Sequence, residues 1–71
     1  MTKKQLLKKL TTLQSQSMTL NAELNNLYDD LNEEGLTPSA IATKVGTAIR
    51  LSDTLIYQIG EAGFAADTTL R

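Results

Sequence analysis

The sequence predicts an all-α chain, an antiparallel two-helix hairpin that dimerises into a four-helix bundle. Three observations carry this. Leu6, Leu10, Leu13, Ser17, Leu20, Leu24, Leu27 and Leu31 recur at spacings of 4, 3, 4, 3, 4, 3 and 4, a heptad seam that no strand period produces. Ile41, Val45, Ala48, Ser52, Leu55, Ile59, Ala62 and Ala66 repeat those spacings with smaller side chains. Between the two runs, Gly35-Leu36-Thr37-Pro38 interrupts the pattern with residues that stop one helix and start another.

The first seam places helix 1 at about 3–33, roughly 45 Å long at the α-helical rise. The turn falls at 34–37. Gly35 suits the left-handed position just past a helix C-terminus, and Thr37-Pro38 reads as an N-cap followed by the first helical residue. Helix 2 is expected over about 38–59. Gly60 and Gly63 each cost about 1 kcal/mol inside a helix. The second helix therefore either closes near Ile59 or goes on, as an extension or a short helix over 61–69. Gly46 reads as a solvent-side helix position. All of 1–71 forms a single helical-hairpin domain.

So short a connection makes the helices antiparallel. With the turn centred near Leu36, residues whose numbers sum to about 72 face each other. Leu31 then meets Ile41, Leu27 meets Val45, Leu24 meets Ala48, Leu20 meets Ser52, Ser17 meets Leu55, and Leu13 meets Ile59. Leu10 meets Ala62, and Leu6 meets Ala66. Large residues mostly oppose small ones, which fills layers without voids. Ser17 and Ser52 fall in neighbouring layers, where their hydroxyls are expected to bond back to the preceding helical turn.

Composition narrows the function. The 71 residues include no His, Cys or Trp. Disulfides are excluded, and structural zinc, haem and iron–sulfur sites lose their usual ligands. Nucleophilic catalysis by Cys, or by a His-activated Ser, is also excluded. No catalytic residue, cofactor or metal site is expected, and the chain is read as a non-enzyme without a small-molecule substrate. The basic N-terminus is not followed by the apolar run of a signal peptide, and no stretch approaches a membrane span. The expected location is cytoplasmic, with no membrane partner.

A chain this short has a thin core, and small domains without disulfides or metals usually gain stability by association. Apolar residues outside the two-stranded seam support that reading. Leu7, Met18, Tyr28, Ile49, Leu51, Ile56, Tyr57 and Phe64 are the candidate protein-interface residues, with Ala42 beside them, and left bare they would make a large apolar patch. Charge points the same way. Lys3, Lys4, Lys8 and Lys9 open helix 1, while Glu23, Asp29, Asp30, Glu33 and Glu34 lie toward its end, against the helix macrodipole. Helix 1 laid antiparallel on its own copy would bring the lysines to the other chain's carboxylates. The expected partners are a second copy and another protein.

Three motifs tempt a different reading. Asp30 to Gly35 has the oxygens and glycine of half a calcium loop, but Ile41 stands where a bidentate Glu is needed. Thr37 to Ile56 has helix-turn-helix spacing at Ala42 and Gly46, but Thr47 and Ser52 occupy positions that want apolar residues. Gly60-Glu61-Ala62-Gly63 matches a nucleotide-backbone clamp in letters only, and is read as a helix terminus.

The leading functional reading is a small helical interaction protein acting through a helix face, as an adaptor, inhibitor or small chaperone of bacterial, plasmid or phage type. The alternative is a dimeric nucleic-acid regulator contacting phosphates through Lys3, Lys4, Lys8, Lys9, Lys44 and Arg50. A net charge of −1 does not favour it. A structural component of a larger assembly is the third reading.

Overall fold

The computed structural model describes Met1 to Leu70; Arg71 lies outside the described residues. The chain forms two helices, α1 (Lys3–Glu33) and α2 (Ala40–Thr69), packed side by side in a rod of 53 × 14 × 13 Å.

The start of α1 is set by a signal the seam does not contain. The Thr2 hydroxyl accepts from the Gln5 N–H at 3.1 Å, and the Gln5 side-chain carbonyl accepts from the Thr2 N–H at 2.9 Å. This reciprocal capping box satisfies two amide donors that the helix itself leaves unpaired. The end of α1 is a glycine stop of the kind expected. Gly35 adopts φ 73°, the Gly35 N–H donates to the Asn32 carbonyl at 3.1 Å, and the Leu36 N–H donates to Leu31 at 2.8 Å. Those two bonds close the last carbonyls of the helix in a Schellman motif.

The entry into α2 differs from expectation. The cap is Ser39, whose hydroxyl accepts from the Ala42 N–H at 3.1 Å, so the helix opens at Ala40 and not at Pro38. Thr37 is engaged elsewhere, donating its hydroxyl to the Asn32 side-chain carbonyl at 2.6 Å. It ties the turn to the end of α1, and capping passes to the next free hydroxyl.

The far end of α2 also differs. The helix runs through Gly60 and Gly63 to Thr69 without a break. Both glycines are half-buried on the side facing α1, and a side chain at Gly60 would begin 3.1 Å from the Gln14 amide. The missing side chain at Gly60 lets the helices close there, whereas one at Gly63 would meet open space; the packing along the rest of α2 carries the helix through both. Gly46 is likewise half-buried beneath Tyr28 and not on the solvent side. The open end is fastened by Lys3, whose ammonium donates to the Asp67 carbonyl at 3.0 Å and pairs with its carboxylate at 3.3 Å.

The continuous helix removes both motifs in this half. No turn separates Ala42 from Gly46, so there is no helix-turn-helix. Gly60 to Gly63 lies inside α2, so it is neither a helix terminus nor a clamp loop. Asp30 to Glu33 are helical, which leaves no calcium-type loop.

The pairing is antiparallel as predicted. Lys3 meets Asp67, Gln14 approaches Gly60, Asn21 meets Ser52 and Tyr28 covers Gly46. The rotation of each helix about its axis is not as predicted. Sequence spacing assigned the columns Leu6/Leu13/Leu20/Leu27 and Ile41/Ala48/Leu55/Ala62 to the seam. Leu13, Leu20, Leu27, Ile41 and Leu55 are instead 45–59% exposed. The column beside each takes its place, Leu7/Gln14/Asn21/Tyr28 on α1 and Ala42/Ile49/Ile56/Gly63 on α2, next to the retained columns Leu10/Ser17/Leu24/Leu31 and Val45/Ser52/Ile59/Ala66. Each helix is turned by about 50° from the expected seam. Close approach accompanies this rotation: Ala42 and Ala66 are buried against α1, Gly60 lies within reach of Gln14, and Gly46 lies beneath Tyr28. The core is correspondingly slight. Only Ser17, Ala42, Ser52 and Ala66 are buried among the described residues.

Candidate protein interface

The rotation of the helices gives the hairpin two unlike long faces. On one, the displaced leucine column of α1 and the Ile41/Ala48/Leu55/Ala62 column of α2 run side by side. Between them, at mid-length, lies an open groove of about 360 Å³ lined by Leu20, Leu24, Ala48, Leu51, Ser52 and Leu55. Its one polar lining residue is already engaged. The Ser52 hydroxyl donates to the Ile49 carbonyl at 2.8 Å and accepts from the Asn21 amide at 2.7 Å.

On the other face the helices are joined by polar contacts. The Asn21 side-chain amide donates to Ser52 and, at 2.8 Å, to the Asp53 carboxylate. Asn25 donates to the Asn21 backbone carbonyl at 2.9 Å. Asn21 was not singled out from the sequence. The available signal was its number, which pairs it with Ser52 and Asp53 in the antiparallel register. Ser17 behaves as expected and donates to the Leu13 carbonyl at 2.8 Å. Ser52 does that and more, because it also links the helices.

The eight candidate interface residues do not come together. Leu7, Ile49 and Ile56 are half-buried between the helices, and Tyr28 lies over Gly46. Leu51 lines the groove. Met18, Tyr57 and Phe64 are exposed away from it. Tyr57 stands one turn before Glu61, whose hydrogen bond and negative charge raise the phenol above its ordinary pKa. The continuous apolar surface is instead made by Leu13, Leu20, Leu27 and Leu55, residues that spacing alone had placed inside the hairpin.

The six candidate phosphate contacts are also dispersed. Lys3 is held by Asp67, and Arg50 donates to the Thr47 hydroxyl at 3.2 Å. From the lysines at the start of α1 to Lys44 is about 35 Å along the rod. Along α1 the charge is polarised. Its first turn contains no acid and its last turn no base.

Among the described residues no group of three or more acidic side chains is placed to hold a metal ion, and no helix is long and apolar enough to cross a membrane. No family model, no curated protein and no solved structure matches the chain.

Proposed function

We propose that the protein is a non-enzymatic helical hairpin that works by docking its leucine-lined face against another helical surface. The observation that carries this reading is the mid-length groove, walled by Leu20, Leu24, Leu51 and Leu55 and floored by Ala48 and Ser52. Half-exposed leucines along a whole face are costly to leave in water. Covering each one contributes on the order of 1 kcal/mol, and a row of them suffices for a specific helix–helix contact in which a few aliphatic anchors dominate. The groove offers a reacting molecule no titratable group, which supports a binding role over a catalytic one.

Two paired substitutions test the reading. Leu20→Asp with Leu55→Asp places charge in the groove. Met18→Asp with Tyr57→Asp places the same charge outside it. Both pairs lie at exposed positions, so both variants should keep the helical circular dichroism of the parent. The groove variant should lose association, read as hydrodynamic mass and as chemical cross-linking in the native host, while the control retains it. Equal association in both variants would remove this face as the functional surface.

A further inference from the structure

Resting on that reading, we infer that the occupant of the leucine face is a second copy of this chain, laid face to face about a twofold axis that lies between the hairpins, perpendicular to the helices, and crosses α1 near Leu20 and α2 near Leu51–Ser52.

The groove itself sits at that crossing, between Leu20 and Leu51, so a copy related by this axis overlaps the whole rod. In the resulting register each α1 lies antiparallel to the other. Leu20 meets Leu20 of the second copy, and Leu13 meets its Leu27. On α2 the same operation sets Leu55 against Ala48 and Ile41 against Ala62, large against small in both cases. One axis satisfies both helices to within about a residue, although the two columns were matched independently.

Charge follows the same axis. The α1 residues that border the leucine column on its outer side are Lys9, Gln16, Glu23 and Asp30. In an antiparallel pair of heptad helices these flanking positions face their own kind across the contact. Lys9 therefore stands opposite Asp30 of the second copy, and Gln16 opposite its Glu23. A twofold contact makes each pairing twice. The polarity of α1, unfavourable to its own macrodipole, becomes favourable between chains.

The areas agree. The hairpin exposes 5369 Å², whereas a compact chain of 7.7 kDa exposes about 4,300 Å². The surplus of about 1,000 Å² compares with about 800 Å² covered on each partner of a standard interface. Docking also resolves the rotation of the helices. In the four-helix bundle the central core is formed by the columns that the 4–3 spacing marked, and the columns Leu7 to Tyr28 and Ala42 to Gly63 serve the contact within each hairpin.

The test is a charge swap on the full chain, read by light scattering and sedimentation over a concentration series. The parent should have twice the chain mass. Lys9→Glu and Asp30→Lys should each weaken dimerisation by about tenfold, two exposed ion pairs being lost per dimer. The double variant K9E/D30K should return to within about threefold of the parent. Within one chain these residues are about 30 Å apart along α1, so the rescue can only act between chains. K9E combined with Glu61→Lys, which restores net charge away from the contact, should stay weak. Because the chain has no native cysteine, Leu20→Cys should oxidise to a cross-linked dimer, and Leu13→Cys should cross-link with Leu27→Cys but not with itself. A dimer in which K9E/D30K is no better than the single variants, or in which Leu13→Cys cross-links to itself, overturns this axis. A chain that remains a monomer at about 100 μM overturns the second copy as occupant. The reading of the face as a docking surface then stands or falls separately, on whether the groove variant alters association with other proteins.

Discussion

The two long faces of the hairpin divide the work differently. On one, Asn21 reaches across to Ser52 and Asp53 at 2.7 and 2.8 Å, and Tyr28 covers the space left by Gly46. The two hydrogen bonds are directional and join α1 to α2 in one register. On the other face, Leu13, Leu20, Leu27, Ile41 and Leu55 stay 45–59% exposed and make no directional contact. Apolar burial is strong but says little about register, since a leucine row can slide by a turn. Hydrogen bonds are weaker in net energy but strict in geometry. The difference teaches that this chain uses polar groups to align the hairpin and leaves much of its apolar surface uncovered by its own two helices.

The largest test of that division sets a seam residue against a face residue. Ile56→Ala, at a half-buried seam position, should destabilise the hairpin by about 2 kcal/mol at any concentration. Leu20→Ala should change the stability of a dilute chain by less than about 0.5 kcal/mol. Its effect should grow as concentration rises, because association stabilises only the form that retains the face. Thermal unfolding followed at several concentrations separates the two. A Leu20→Ala effect that is large and independent of concentration would place Leu20 in the hairpin's own core.

Next in size is the aligning contact. Asn21→Ala removes the donor shared by Ser52 and Asp53 and should cost about 1 kcal/mol. Gly46→Ala should act in the opposite direction. An added methyl would lie 3.8 Å from the Tyr28 ring, an ordinary contact, and the gain in helix propensity should raise stability by about 0.5–1 kcal/mol. A loss instead would show that Tyr28 packs more tightly on the backbone than that distance allows. Denaturant unfolding measures both.

The smallest effect lies outside both faces. Glu61 disfavours the charged phenolate of Tyr57 through a hydrogen bond and its negative charge. Glu61→Gln should therefore lower the Tyr57 pKa toward the ordinary phenol value, read from ring resonances in a pH titration, with little change in stability. An unchanged titration would mean that the two side chains do not meet in solution.

Much of the fold was legible because its signals are local. The glycine stop at Gly35 depends on one residue's freedom to adopt positive φ. The antiparallel pairing follows from a connection too short for anything else. The helix start at Thr2 and Gln5 is equally local, a capping box written in residues outside the leucine seam. The entry into α2 was not so legible. Thr37 and Ser39 are both competent caps, and only the bond from Thr37 to Asn32 decides between them. The glycine at 60 is hard to read for a related reason, since propensity counts its cost while the compensating approach of Gln14 lies more than forty residues away in the chain. The candidate interface was half legible: an over-wide apolar stripe was plain, but which column of it faced outward was not.

The sequence by itself determined two long helices, their antiparallel order and their pairing to within about two residues, because spacing, caps and loop length act over one or a few turns. Tertiary structure alone decided the rotation of each helix about its axis. On each helix three columns, the third of them half polar on α1, competed for a contact that accommodates two. The smallest residues of α2 and the polar reach of Asn21 settled the competition, through close approach and hydrogen-bond geometry that no heptad count contains.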